Sequence, residues 1–105
     1  MIQHVVYFQL KPEVDAPLLE ELVRSSRSLL LKIPEVLSVK SGRNIDVNSQ
    51  WQFYYSMEIE SLEKLKFALD DPFHLKLMEK FIRPHTLNQF ALDFELDPSK
   101  NLKYS

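Results

Sequence analysis

Two histidines occupy positions from which their side chains should enter the protein interior. His4 lies on one face of an alternating segment, which it shares with Ile2, Val6 and Phe8. His74 opens a series at helical spacing, which continues with Leu77, Met78, Phe81 and Ile82. Because the N-terminus of a helix disfavours positive charge, His74 is expected to be neutral and able to act as a base or a hydrogen-bond partner. Both imidazoles are therefore predicted to face the space between a sheet and its helices.

Polar side chains from two other segments are predicted to reach the same space. Ser26 replaces a large apolar residue on the inward stripe of the first helix and leaves room that the Tyr55 hydroxyl could enter. An apolar lining with a few polar groups is typical of small-molecule sites. The alternative is a filled core, in which the histidines are hydrogen-bonded and Ser26 bonds back to its own helix. The predicted ligand contacts are His4, Ser26, Phe53, Tyr55 and Leu77, with His74 as the candidate catalytic residue.

The composition excludes several classes of chemistry. The chain has no Cys, which removes disulfides, thiolate nucleophiles and Cys-containing zinc sites. Gly42 is the only glycine, so a phosphate-cradling loop or a dinucleotide-binding motif is impossible. No two of the three His share the i, i+4 spacing of a helical metal site. We therefore expect no metal, nucleotide or flavin cofactor.

Charge and hydropathy limit the partners and the location. Thirteen Lys and Arg are interspersed with fifteen Asp and Glu, which argues against a nucleic-acid partner. No apolar run approaches the roughly 20 residues of a membrane span, and the first residues lack the pattern of a signal peptide. The absence of Cys is compatible with a reducing compartment. We expect a soluble, cytoplasmic protein with no membrane partner.

The elements that must position these side chains follow from periodicity. The 105 residues suffice for one domain, which we place at residues 1–98 with a tail at 99–105. Period-two alternation and turn signals predict strands at 2–10, 35–43, 51–59 and 88–96. Helical spacing predicts one helix between Asp15 and Pro34 and a second from Ser61 to Pro84, broken at Asp71. The order β-α-β-β-α-β predicts a ferredoxin-like α+β sandwich, with helices on one face of a four-stranded antiparallel sheet.

The other face of that sheet is predicted to bind a second copy of the chain. We assign the more apolar side of each long strand to the helices, because burial stabilises by roughly 25 cal/mol per Å². This places Phe90, Leu92 and Phe94 inward. The open face then includes Val5, Tyr7, Tyr54 and Ala91, which is too apolar for a plain solvent-facing surface. A homodimer that buries sheet against sheet is the simplest outcome.

Five short segments recur in the order of a known family. They are Ile2-Gln3-His4-Val5-Val6 with Leu10-Lys11-Pro12-Glu13, Ile33-Pro34-Glu35-Val36, Ser41-Gly42, Glu60-Ser61-Leu62-Glu63 and Asp71-Pro72-Phe73-His74. Over about residues 2–98, the chain resembles the stress-responsive dimeric α/β-barrel family, abbreviated Dabb. The resemblance implies a ferredoxin-like monomer whose sheets pair into a dimeric barrel, in a family whose members mostly have unassigned functions.

One branch of that family is a plant polyketide cyclase, in which the His of a Pro-x-His motif acts with a Tyr six residues earlier. His74 matches that His, and His4 matches the His of the first strand. Ala68 and Ser26 stand where the branch has tyrosines, so a full cyclase rate is not expected. Two functions therefore stay open. The first, which we favour, is a dimer that binds a small apolar or aromatic molecule, and the second is a cofactor-independent cyclase-like or isomerase-like enzyme with His74 as general acid or base.

Overall fold

The protein is described by a computed structural model over residues 1–97. Its strands and helices are β1 (Ile2–Leu10), α1 (Ala16–Leu30), β2 (Val36–Arg43), β3 (Phe53–Ile59), α2 (Leu62–Asp70), α3 (Pro72–Lys76) and β4 (Thr86–Glu95). A π-helical segment (Leu77–Ile82) and a 3₁₀ turn (Arg83–His85) extend α3 to the last strand. The predicted domain boundary at residue 98 and the tail at 99–105 lie outside the described residues.

The sheet has the order β2-β3-β1-β4, with every neighbouring pair antiparallel. β1 is therefore a central strand that pairs along its length with both β3 and β4. The four-stranded sheet and its helices confirm the predicted ferredoxin-like α+β fold. In residues 1–97, no helix has the length and apolar character needed to cross a membrane.

Side-chain caps begin the helices where the sequence predicts them. The Asp15 carboxylate accepts from the Leu18 backbone N–H at 3.0 Å, and the Ser61 hydroxyl accepts from the Lys64 N–H at 3.2 Å. Asp71 ends α2 in an extended conformation, and its carboxylate accepts from the Phe73 N–H at 2.8 Å. These bonds satisfy N–H groups that have no partner within the first helical turn. The break at Asp71 is thus what turns the chain into α3 and sets the position of His74.

The core lies between the helices and one face of the sheet. Phe8 of β1 stacks on Phe53 of β3 at a centroid distance of 5.1 Å, and Tyr55 packs on Phe8 at 5.5 Å. Leu22 and Leu30 of α1 close this layer from above. All of these side chains are almost fully buried, so the inward faces predicted for β1 and β3 are confirmed.

The predicted orientation of β4 is wrong, because the two faces of the strand are exchanged. Ala91 lies opposite Val6 on the helix side of the sheet, whereas Phe90 stacks on Tyr7 of the open face at 5.0 Å. Phe90, Leu92 and Phe94 are consequently 39%, 43% and 48% exposed. Alternation defines two faces of a strand but does not say which one is inward. Buried area does not determine the face of β4, because β4 is an edge strand and its helix-side residues are exposed as well.

Trp51 lies outside β3, although the sequence predicts a strand that begins at this residue. β3 begins at Phe53, and the Trp51 ring packs edge-on against Phe90, with centroids 4.7 Å apart. The Trp51 N–H donates to the Ser49 hydroxyl at 3.1 Å, and the Asn44 amide donates to the Trp51 carbonyl at 2.9 Å. Because loop groups take both backbone bonds of Trp51, the residue is held outside the strand and its ring reaches the open face.

Replacement of Asp71 should weaken the fold through its cap. Asp71→Ala is expected to lower the free energy of unfolding by about 1 kcal/mol, because the Phe73 N–H loses its acceptor. Asp70→Ala is the matched control, since Asp70 makes no side-chain hydrogen bond within residues 1–97. Urea unfolding of both variants measures the difference. Equal destabilisation by the two changes would contradict the capping role.

Candidate functional site

His4 forms an ion-pair-like contact with an aspartate on the neighbouring strand. It is 6% exposed, and its Nδ1 lies 2.6 Å from Oδ1 of Asp93, the residue directly opposite on β4. A carboxylate can only accept a hydrogen bond, so Nδ1 carries the proton. In the neutral ring, Nε2 then bears the lone pair. Asp93 thereby fixes both the orientation of His4 and the nitrogen that is left to accept a proton.

His74 is a half-buried imidazole whose hydrogen bonding is incomplete. Its Nδ1 is enclosed by protein and has no hydrogen-bond partner within residues 1–97. Burial lowers the pKa of His74, and the positive charge that His4 can carry lowers it further. The Leu69 carbonyl and the carboxylates of Asp71 and Asp70 act in the opposite direction, but burial outweighs them. Burial thus favours the neutral ring, whereas the sequence argument attributes neutrality to the N-terminus of the helix.

The three predicted contacts on the core side are tightly enclosed. Tyr55 is 1% exposed, and its hydroxyl contacts the Met78 sulfur at 3.9 Å. Burial raises the pKa of the Tyr55 hydroxyl, so it stays protonated and can only donate or accept a hydrogen bond. Phe53 and Leu77 are equally buried and form part of the apolar cluster. Tyr55 lies opposite Val6, two residues from His4 on the same face of the sheet, whereas Phe53 lies opposite Phe8, four residues from His4, so the structure does not bring Phe53 to the histidines.

Ser26 is fully buried, and its hydroxyl already has a partner. Ser26 Oγ donates to the Val23 carbonyl at 2.8 Å, and Ser41 Oγ of β2 donates to the same oxygen at 2.8 Å. This is the local back-bond that we considered as the alternative from sequence. The shared acceptor joins α1 to β2, so Ser26 has a packing role here. Contact with a ligand stays a prediction for this residue.

Asp93 is the functional candidate that the sequence did not reveal. The orientation predicted for β4 puts Asp93 on the open face with Ala91, two residues away, and so remote from His4. The register of β4 against β1, which pairs His4 with Asp93, would have identified Asp93 as a candidate. A single sequence does not specify that register. The structure thus brings together His4, Asp93 and His74, while Ser26 bonds elsewhere.

Comparison with protein families identifies the chain. Residues 2–96 match the model of the Dabb family, described as the stress responsive A/B barrel domain. The protein belongs to the Dabb family. The resemblance drawn from the five short segments is therefore confirmed. No curated protein matches the chain.

Solved structures share the Dabb fold at low sequence identity. A Dabb family protein from Mesorhizobium loti is 21% identical with a TM-score of 0.77, covering 90% of this chain and 95% of that one. A dimeric ferredoxin-like protein of unknown function from Bacteroides fragilis is 20% identical with a TM-score of 0.75, at the same coverage of 90% and 95%. A hydroxynitrile lyase from Passiflora edulis is 16% identical with a TM-score of 0.76, and the match covers 92% of this chain and 94% of that one. At these identities, the likeness shows the fold alone.

The lowered pKa of His74 predicts an acid-sensitive fold. The unfolded ring binds a proton near its ordinary pKa of 6.5, whereas the folded ring does so only at lower pH. As pH falls below that ordinary value, the unfolded state takes up more protons and the free energy of unfolding decreases. His74→Gln removes this contribution, so its stability should fall less between pH 7.5 and pH 5 than that of the parent protein. Denaturant unfolding of both proteins at the two pH values measures this loss in the free energy of unfolding.

His85→Gln is the control for this experiment. It should retain the pH dependence of the parent protein, because the contribution of His74 is intact. If His74→Gln loses as much stability on acidification as the parent, the imidazole is not held neutral by the fold.

Proposed function

We propose that this Dabb protein is a homodimer that binds a small apolar or aromatic molecule beside His4 and His74, between the sheet and the helices. The observation that supports this most is the buried, unpartnered Nδ1 of His74 in the neighbourhood of the His4–Asp93 pair. A buried polar atom without a partner costs about 1–3 kcal/mol. A hydroxyl or carbonyl group of a ligand would supply the missing hydrogen bond.

The surroundings favour an apolar molecule with one polar group. Tyr55 and Leu77 provide a low-polarity lining in the proposed site, and the Tyr55 hydroxyl has only a weak sulfur acceptor at 3.9 Å. Since Tyr55 and Leu77 are closed to solvent, entry requires side chains next to His74 to move. His74 is itself only half-buried, so it lies at the margin where such an opening would begin.

A second candidate function is cofactor-independent acid–base catalysis, and the His4–Asp93 contact favours it. Asp93 leaves Nε2 of His4 as a proton acceptor, and the neutral ring of His74 could also accept a proton from an enolisable carbon or a hydroxyl. Ala68, where the cyclase branch carries a tyrosine, is fully buried and supplies no hydroxyl. Binding without fast turnover is therefore the function that we favour. The Passiflora hydroxynitrile lyase indicates that this fold can also host an enzyme.

The homodimer is proposed through the open face of the sheet. Val5, Tyr7 and Tyr54 lie there as predicted, and the partly exposed side chains of β4 take the place of Ala91. These are Phe90, Leu92 and Phe94. A continuous apolar face of this kind is typical of a subunit interface. The dimeric description of the Bacteroides fragilis protein supports the same assembly.

A ligand screen tests the role of His74. Phenols and polyketide-like aromatic compounds are screened by thermal shift, and the affinity of each hit is measured by NMR titration. His74→Ala should weaken binding about tenfold, the loss of one hydrogen bond worth about 1.4 kcal/mol. His85→Ala should leave the affinity unchanged. If a folded His74→Ala protein binds every hit as tightly as the parent, the site is wrongly assigned.

The same hits separate binding from catalysis. Exchange of the α-protons of an enolisable aryl ketone in D₂O reports proton abstraction directly. An enzyme would accelerate this exchange, and His74→Ala would reduce the rate by roughly 10²–10⁴-fold. Tight binding without accelerated exchange supports the binding function alone.

Sedimentation tests the homodimer. At micromolar concentration, the parent protein should have twice the mass of one chain. Leu92→Glu should shift it to the monomer, because a buried charge would lie in the interface. Leu62→Glu on α2 is the matched control and should leave the dimer intact, since Leu62 is 59% exposed on the helix layer. A monomeric, folded parent protein would refute the assembly.

A further inference from the structure

A separate groove opens at one end of the open face, away from the histidines. Its volume is about 480 Å³, within the range of small-molecule pockets. Four aromatic side chains form much of its wall, namely Tyr7, Trp51, Tyr54 and Phe90. Their rings pack on one another, with centroids of Tyr7 and Phe90 5.0 Å apart and those of Tyr7 and Tyr54 6.2 Å apart. The groove thus presents aromatic surface to any occupant.

The polar part of the groove is positively charged. Arg43 lines it at the end of β2, together with the side chains of Asn44 and Ser49. No Asp or Glu is among the lining residues, and Arg43 forms no ion pair within residues 1–97. An aromatic wall beside an uncompensated guanidinium fits a planar anion, because arginine pairs with carboxylates through two parallel hydrogen bonds.

The groove is already formed before any ligand binds. The Asn44 amide bonds to the Trp51 carbonyl at 2.9 Å, and the Ser49 hydroxyl accepts from the Trp51 N–H at 3.1 Å. Next to the groove, Gly42 lies opposite Tyr54 in the sheet, and a Cβ atom there would approach the Tyr54 ring to 3.3 Å. The bonds of Asn44 and Ser49 hold the Trp51 backbone in place, which lowers the entropic cost of binding.

We propose that this groove is a second ligand site, which binds a planar aromatic carboxylate with its ring against the aromatic wall and its carboxylate on Arg43. The proposal is independent of the histidine site. Tyr7, Tyr54 and Phe90 also belong to the face proposed to form the homodimer, whereas Arg43, Asn44, Ser49 and Trp51 lie at the end of β2 and in the connection to β3. Ile45, which is 98% exposed, and Arg43 border it on the solvent side.

The tryptophan gives a specific probe, because Trp51 is the only one in the chain. Its indole N–H resonance is followed by NMR during titration of the intact dimer with 2-naphthoate and, in parallel, with the neutral analogue 2-naphthamide. We expect a saturable shift, with 2-naphthoate binding about tenfold more tightly than the amide. A tenfold difference in affinity is the size expected for one charge-assisted hydrogen bond between the carboxylate and Arg43.

Variants connect the shift to Arg43. Arg43→Gln should remove the preference for the anion, and Arg43→Lys should restore part of it because the charge returns. Arg83→Gln, at an exposed arginine in the 3₁₀ turn, is the control for general charge and should bind like the parent. His74→Ala should also bind 2-naphthoate like the parent, so failure of the histidine site would not affect this result.

Three outcomes would overturn the proposal. They are an indole resonance that does not move with 2-naphthoate, equal affinity for the acid and the amide, and an Arg43→Gln protein that keeps the preference. If Leu92→Glu monomers bind 2-naphthoate but the dimer does not, the partner subunit fills the groove and the proposal also fails.

Discussion

The pairing of β1 with β4 determines where every functional candidate lies. This register places His4 opposite Asp93 on the helix side and Tyr7 opposite Phe90 on the open side. Because side chains alternate along a strand, a shift of one residue would exchange the two faces and remove both the His4–Asp93 bond and the Tyr7–Phe90 stack. The same strand therefore carries His4 on one side of the sheet and part of an aromatic surface on the other.

Most of the fold was predictable from local physics. Strong alternation located β1 and most of β3, and the caps at Asp15, Ser61 and Asp71 located the helix starts. The face of β4 was not predictable, because an edge strand has little buried surface on either side and its pattern alone does not distinguish them. For the same reason Asp93 was missed, since its partner depends on register and not on spacing along the chain.

The candidate site combines burial with incomplete hydrogen bonding. Neutral histidines in an apolar setting are effective hydrogen-bond partners, because few competing waters reach them and the loss of a bond is costly. Asp93 accepts a hydrogen bond from His4, whereas Nδ1 of His74 has no well-aligned hydrogen-bond partner within residues 1–97. Burial, helped by the charge that His4 can carry, lowers the pKa of His74 and so favours its neutral ring, which can accept a proton.

The most direct test is a long-range ¹H–¹⁵N NMR spectrum of the histidine rings at neutral pH, recorded with and without a bound phenol. We predict that His4 carries its proton on Nδ1 and that His74 is neutral. The Nδ1 resonance of His74 should move when the phenol binds. A charged His74 would contradict this account. So would a phenol that binds the protein without shifting the resonance of either nitrogen of the His74 ring.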